Sequence, residues 1–483
     1  MLRKIRIILA TVMIVGLTWL FVDFTGTAMG CVGWMAKMQA LEAVLALNVV
    51  VTVALLVLTL LLGRIYCSVV CPLGIMQDVF GWMGKRHKRN RYTYSKGIVW
   101  LRYAMLGVFV AAILGGVGVI VQMLAPYSAF GRIATNIMQP VWQAGNNVLA
   151  VVSEYYDNYT FYHSDIWLRS LPSLVIALVT VVVLIVLAWR NGRTYCNTVC
   201  PVGTVLGFLA RFSLFKVRFD EEKCRNCSLC TKNCKASCID YKEHRVEASR
   251  CVVCGDCLDA CKFGALTYGV KSSKFQEGRR SFLISSALVA TAALAQKKSD
   301  VDGGLAEIED KIVPKRKTPI TPPGSLSAEN MAKRCTGCQL CISECPNGVL
   351  RPSDNLMTLM QPVMSYERGY CRPECNRCSE ACPAGAIKPI RPEEKASTQI
   401  GHAVWVKKNC VPLTDGVECG NCARHCPVGA IEMVASDPDD EESISVPAVN
   451  ETRCIGCGAC EYVCPARPFS AIYVEGHEVH KEV

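Results

Sequence analysis

Six groups of four cysteines limit what this chain can fold into more than anything else in it. Two lie mid-chain, Cys224, Cys227, Cys230, Cys234 and Cys251, Cys254, Cys257, Cys261, both spaced Cys-x-x-Cys-x-x-Cys-x-x-x-Cys. Three thiolates at that spacing wrap one face of an iron–sulfur cubane, and the fourth reaches the other cluster of a pair. Crossed ligation assigns Cys224, Cys227, Cys230 and Cys261 to one 4Fe-4S cluster and Cys251, Cys254, Cys257 and Cys234 to its neighbour. Lys235 and Lys262 stand where a proline usually follows the fourth cysteine. Four more groups, each ending in Cys-Pro, occupy the C-terminal third: Cys335, Cys338, Cys341, Cys345; Cys371, Cys375, Cys378, Cys382; Cys410, Cys419, Cys422, Cys426; and Cys454, Cys457, Cys460, Cys464. Three residues between Cys371 and Cys375 and eight between Cys410 and Cys419 require loop insertions there. Zinc needs neither the tight third cysteine nor the trailing Cys-Pro. Six 4Fe-4S clusters are expected, and a disulfide framework is disfavoured in a chain of 483 residues with thirty cysteines.

The rest of the composition points to a membrane: 51% of residues are hydrophobic and only 19% charged. Ile7–Val22, Val44–Leu62, Tyr103–Leu124 and Leu171–Trp189 approach the roughly 20 residues of a spanning helix and are read as four transmembrane helices. Arg3, Lys4 and Arg6 precede the first, and Lys85, Arg86, Lys88, Arg89 and Arg91 lie between the second and third, which puts both tracts in the cytoplasm. The net charge of +11 thus reports orientation in lipid, and no nucleic-acid partner is expected. Loops 23–43 and 125–170 then face outward, the second carrying Tyr127, Phe130, Trp142, Tyr155, Tyr156 and His163 as an aromatic belt.

The expected architecture is a polytopic α-helical membrane bundle, four helices plus a fifth signal or anchor helix, with two bacterial-ferredoxin-like α+β iron–sulfur domains. Its parts are a membrane domain 1–215, a cytoplasmic two-cluster domain 216–272, a signal or anchor helix 273–296, a linker 297–328 and a periplasmic four-cluster domain 329–483. The signal reading rests on Gly278-Arg279-Arg280-Ser281-Phe282-Leu283 before the apolar run Ile284–Ala295, the form of a twin-arginine export signal.

An internal repeat marks the bundle. Gly63-Arg64-Ile65-Tyr66-Cys67-Ser68-Val69-Val70-Cys71-Pro72-Leu73-Gly74 and Gly192-Arg193-Thr194-Tyr195-Cys196-Asn197-Thr198-Val199-Cys200-Pro201-Val202-Gly203 agree at eight of twelve positions, each after an apolar helix. A pseudo-two-fold bundle would bring Cys67, Cys71, Cys196 and Cys200 together as an additional metal site; alternatively they are buried small side chains beside helix-ending prolines. Cys31 and Cys238 are left over and read as packed side chains. None of the seven histidines, His87, His163, His244, His402, His425, His477 and His480, lies in a proposed membrane helix, so this chain alone supplies no bis-histidine membrane haem. No glycine fingerprint for a dinucleotide follows a strand, which disfavours NADH as donor.

In these motifs, region 1–270 resembles NapH-type membrane quinol dehydrogenase subunits, a group that includes the nitrous-oxide-reductase regulator and cytochrome-oxidase assembly ferredoxins. Region 275–483 resembles the NapG-type periplasmic ferredoxin, so the chain reads as a fusion of the two. The resemblance implies oxidation of menaquinol or ubiquinol at the inner membrane and electron delivery to a periplasmic oxidoreductase or cytochrome, with membrane lipid and the quinone pool as the other partners. Arg64, Tyr66, Gln77, Asp78, Arg193 and Tyr195 are candidate quinone-site groups; no catalytic residue is assigned. The alternative is a maturation ferredoxin that reduces a metal or cofactor in another respiratory enzyme. Lysines and arginines around the outer clusters and the acidic run Asp437 to Glu442 are expected to steer a partner.

Overall fold

The computed structural model describes residues 2–88, 92–269, 311–437 and 439–482. The chain divides into two compact units, Met1–Thr291 with Thr336–Cys338, and Ala292–Cys335 with Gln339–Val483.

Among the described residues of the first unit, two helices, Leu2–Val22 and Leu171–Asn191, are long and apolar enough to cross a membrane. Both leave apolar side chains uncovered, among them Val12 and Val182, each more than half exposed. The other two expected spans are interrupted. Asn48 caps a fresh helix, Val49–Leu62, by accepting from the Val51 amide at 3.2 Å, while Leu47 before it sits at φ 56° and ends Ala40–Leu45. Fourteen residues rise only about 21 Å, short of a hydrocarbon core of about 30 Å. The span expected over 103–124 breaks at Gly115-Gly116, where Gly116 takes φ 69° and closes Val99–Leu114 before Gly118–Leu124 begins. A bundle of four uninterrupted spanning helices is therefore not what these residues form. The proposed fifth helix, 273–296, lies outside the described residues.

Helices also fill the expected outer loops: Thr27–Lys37, Pro126–Ile133 and Gln139–Tyr155. Tyr127 and Phe130 do not belong to an aromatic belt; both are buried and pack on Phe21 with ring centroids 5.9 Å apart. Trp142, Tyr155 and Tyr156 are exposed, and His163 pairs with Glu154 at 3.2 Å.

Residues 216–269 form the expected small α+β module. Lys216–Phe219 pairs antiparallel with Leu266–Gly269 and Ile239–Asp240 with Arg245–Val246, with two short helices, Leu229–Asn233 and Asp256–Ala260, between. The cysteines Cys230, Cys234, Cys238 and Cys257 join Val217, Ala236, Ile239 and Leu266 in its core.

Three antiparallel pairs build the second unit: Leu350–Pro352 with Pro362–Met364, Thr398–Trp405 with Ile472–Glu482, and Ile431–Asp437 with Asp440–Val449. The acidic run Asp437 to Glu442 falls at the turn of the last pair. The expected linker 297–328 is only partly described, and its described half is not a linker. Ile320 is buried in the core of this unit, its carbonyl accepts from the Met364 amide at 2.9 Å, and the Gly324 carbonyl accepts from Lys388 at 2.9 Å. Its Pro/Lys composition disguised extended chain that packs edge-on against strands.

Candidate metal centres

No disulfide joins any of the thirty cysteines. Instead, twelve of them line three small cavities in sets of four, three from one loop and one from a partner loop. Cys224, Cys227 and Cys230 line one with Cys261, as crossed ligation requires. Cys234 lies in electrostatic reach of Cys251, Cys254 and Cys257. The second unit follows the same rule, which its in-line groups did not reveal. Cys410, Cys419 and Cys422 share a cavity with Cys464, and Cys454, Cys457 and Cys460 share one with Cys426. Cys371 and Cys375 neighbour Cys378 together with Cys345. Thus Cys345, Cys426 and Cys464, each before a proline, stand with the neighbouring set. Among the described residues no three His, Cys, Asp or Glu side chains converge on one ion-sized point. Tetrahedral zinc at about 2.3 Å needs such convergence, whereas a cubane holds its thiolates apart at its corners. Short left-handed turns shape the loops: Ser228 at φ 57° and Gly255 at φ 77° occupy equivalent places, each just after the second cysteine of its set.

The twin repeats meet as a pseudo-two-fold pair. Arg64 Nη2 donates to the Cys196 carbonyl at 3.1 Å, and Arg193 Nη1 donates to the Cys67 carbonyl. Each repeat's arginine thus holds the other's first cysteine. A Cβ on Gly74 would lie 2.3 Å from the Cys67 carbonyl oxygen and 3.0 Å from Arg193 Nη1; one on Gly203 would lie 2.3 Å from that of Cys196 and 2.9 Å from Arg64 Nη2. The conserved spacing from cysteine to glycine within both repeats is the room these crossings need. Cys67, Cys71, Cys196 and Cys200 are all buried.

Beside the repeats, Asp78 on the helix Pro72–Lys88 joins three cations: Arg193 Nε and Arg6 Nη1, each at 2.7 Å, and Lys235 Nζ at 2.9 Å. Burial alone would raise its pKa, but Arg193, Lys235 and Arg6 hold it well below the usual carboxylate range. Lys235 also reaches Asp256 at 3.1 Å, and Arg3 pairs with Asp256 at 3.0 Å and with Asp259 at 3.7 Å. These pairs clamp the iron–sulfur module to the helices through residues adjacent to cluster cysteines, Lys235 after Cys234 and Asp256 before Cys257.

A cavity of about 450 Å³ opens along this network, lined on one side by Ile7, Ile75, Gln77, Asp78 and Trp82 and on the other by Lys235 and Asp256. Gln77 Nε2 donates to Cys196 Sγ at 3.2 Å, while its Oε1 is buried without a partner. Of the six candidate quinone groups, only Gln77 and Asp78 line the cavity. Arg64 and Arg193 are committed to the repeat crossing. Tyr66 donates to Gln39 Oε1 at 3.1 Å and accepts from Ala40 N, and Tyr195 donates to the Leu124 carbonyl at 3.4 Å. Lys235 and Asp256 were missed; their signal was their position next to cluster cysteines.

Fold and cysteine sets together define an iron–sulfur electron-transfer protein of the ferredoxin type. The family model for a 4Fe-4S binding domain matches twice, at residues 44–91 and 173–220, reproducing the internal repeat, and models for 4Fe-4S dicluster domains match at 247–349 and 417–467. An uncharacterized protein of Methanocaldococcus jannaschii is 25% identical over 250 residues, 50% of this chain and 79% of its own. The methylamine utilization ferredoxin-type protein MauM of Methylobacillus flagellatus is 30% identical over 153 residues, 30% of this chain and 64% of its own. The ferredoxin-type protein NapH of Escherichia coli is 27% identical over 228 residues, 45% and 65% respectively.

Proposed function

We propose that the protein is a quinol dehydrogenase of the bacterial inner membrane that passes electrons through six 4Fe-4S clusters to a periplasmic oxidoreductase or cytochrome. The observation that carries this reading is the cavity of about 450 Å³ with Gln77 and Asp78 on one wall and cluster-adjacent Lys235 and Asp256 on the other. Its size falls in the range of small-molecule sites, roughly 300–1,000 Å³. Three of its cations, Arg3, Arg6 and Lys235, are already paired with Asp78, Asp256 and Asp259, so an ionic ligand gains little there. A neutral headgroup with a hydrophobic tail fits better, with Ile7, Ile75 and Trp82 flanking the tail.

In this reading the quinol headgroup lies beside Gln77, which lines the cavity and donates to Cys196 Sγ. Asp78 stays ionised and favours departure of the quinol's two protons, which leave along Asp256 and Asp259 toward increasingly exposed positions. Clusters, when bound, accept and pass the two electrons one at a time. The exposed apolar faces of Leu2–Val22 and Leu171–Asn191 support embedding in lipid, and the twin-arginine sequence supports export of the four-cluster domain.

Reduced menaquinol or ubiquinol analogues should bleach the visible cluster absorbance of the reconstituted protein, and Gln77→Leu should slow that bleaching at least tenfold while dithionite still reduces the clusters. If quinols reduce nothing and a cytoplasmic ferredoxin or flavodoxin reduces the Cys224–Cys261 pair instead, the maturation role replaces this one.

A further inference from the structure

Arg64 is completely buried, yet among the described residues it pairs with no carboxylate. Its Nη1 donates to Asn197 Oδ1 at 2.7 Å and to the Ser249 carbonyl at 3.0 Å; Nη2 donates to the Cys196 carbonyl at 3.1 Å and reaches Cys67 Sγ at 3.8 Å; Nε has no partner. Arg102, 6% exposed, stands in the same position, bonded to the carbonyls of Gly203 at 3.1 Å and Ser249 at 3.0 Å. A guanidinium does not shed its proton in a protein, and burying one without a countercharge is strongly unfavourable. Among the partners of Arg64, Cys67 is the one group that can become an anion.

The sulfurs are also dressed as acceptors. Gln77 Nε2 donates to Cys196 Sγ at 3.2 Å, and the Gly203 amide donates to Cys200 Sγ at 3.3 Å. The Gly74 amide makes the equivalent bond to Cys71. Cys71 lies in electrostatic reach of Cys196, Cys67 and Cys200, and all four residues are only 4% exposed. Amide donors aimed at sulfur, a pseudo-two-fold frame and two uncompensated cations describe the surroundings of metal-bound thiolates, not of four packed thiols.

We infer that Cys67, Cys71, Cys196 and Cys200 jointly bind one iron–sulfur cluster, shared between the repeats and countercharged by Arg64 and Arg102. A polynuclear centre, which holds its thiolates apart at its corners, suits four cysteines drawn from two repeats. An oxidised four-thiolate cluster carries about two net negative charges, which matches the two unpaired guanidiniums. It cycles by one electron with no bond made or broken. Two backbone links tie its frame to the nearest ferredoxin cluster: Arg64 to Ser249, two residues before Cys251, and Arg193 N to the Lys235 carbonyl at 2.8 Å, one residue after Cys234. On the other side Gln77 connects it to the cavity. The site stands whether or not quinol is the donor.

The test is iron and acid-labile sulfide per chain, with Mössbauer and EPR spectra, on the anaerobically purified full-length protein. Cys67→Ser and Cys196→Ser should each remove one cluster's complement of iron, the double variant should remove no more, and the ferredoxin EPR signals should persist in all three, reporting an intact fold. Arg64→Lys should keep the extra cluster; Arg64→Gln should shift its midpoint to more negative potential or lose it. Unchanged iron and spectra in the cysteine variants would overturn the site, as would additive losses, which mean separate sites, or zinc replacing the missing iron. Because loss of fold would erase the ferredoxin signals too, wild-type Mössbauer intensity beyond that of the ferredoxin clusters provides an independent reading; its absence also overturns the proposal.

Discussion

Asp78 gathers three basic side chains at one buried point. It is the common anion of Arg6, Arg193 and Lys235, and only 12% of it is exposed. Removing one partner of a buried pair leaves charge uncompensated, at about 3–5 kcal/mol. Asp78→Asn should therefore loosen the iron–sulfur module from the helices, read as a lower Tm in detergent and faster protease cleavage between residues 212 and 220. The sign with pH follows from its depressed pKa: the contribution is complete above the ordinary value of 3.8 and is lost only as pH falls below that, so the gap between wild type and Asp78→Asn should be flat from pH 8 to 5. Cys238 shows the same reasoning for sulfur. Its Sγ lies 3.6 Å from that of Cys234, and it also hydrogen-bonds Cys251, two ligands of one expected cluster. An S–H donor to bound thiolates favours the reduced, more negative state. Cys238→Ala should retain that cluster and lower its midpoint by on the order of 30 mV, with Cys238→Ser restoring part of the shift in a redox titration.

Among elements, the pairing of Thr398–Trp405 with Ile472–Glu482 depends most on protonation. Its register shifts between Gly476 and Lys481, and that bulge turns His477 onto His402 at 3.0 Å and His480 onto Thr321 Oγ1 at 2.9 Å. Burial, with His477 nearby, pushes His480 down to about 4. A histidine depressed below its ordinary 6.5 favours the folded state above that value and loses the contribution as pH falls toward 4, on the order of 3 kcal/mol here. Amide protection factors across 472–482, with the intrinsic exchange rate divided out, should fall between pH 7 and 5 in the full-length protein, and His480→Gln should flatten the dependence. The sequence did not disclose this bulge, because alternation in Tyr473, Glu475 and His477 looks regular until a tertiary partner displaces it. The grouping of the cysteines was legible, since ligand spacing is dictated by the cubane itself. The sequence did not disclose which C-terminal groups exchange their fourth cysteine, because Cys345 and Cys371 meet only through the fold. Apolar runs likewise hid the caps at Asn48 and Gly116: hydropathy averages over a polar cap or a glycine pair, whereas a helix stops at one residue.

At the scale of the whole molecule, the electrostatic clamp ties sidedness to structure. Arg3 and Arg6 at the start of Leu2–Val22 are bonded to Asp256, Asp259 and Asp78, so the module 216–269 shares a side with the basic N-terminal tract and with the helix Pro72–Lys88. In the proposed function that shared side is the cytoplasm, where lysines and arginines next to membrane helices are retained. The proposed function assigns export of the C-terminal domain to the segment with Arg279 and Arg280, because a domain folded around clusters would need a route that tolerates folded cargo. Protease added to intact spheroplasts should therefore degrade residues 311–483 and spare 216–269, and detergent should expose both. Replacing Arg279 and Arg280 together by lysine should leave the C-terminal domain protected, with membrane insertion of the first unit unaffected. Export that survives the double lysine variant would dismiss the twin-arginine reading alone. Protection of 311–483 in the wild-type chain would put both sets of clusters on one side of the membrane and remove the periplasmic acceptor from the proposed function.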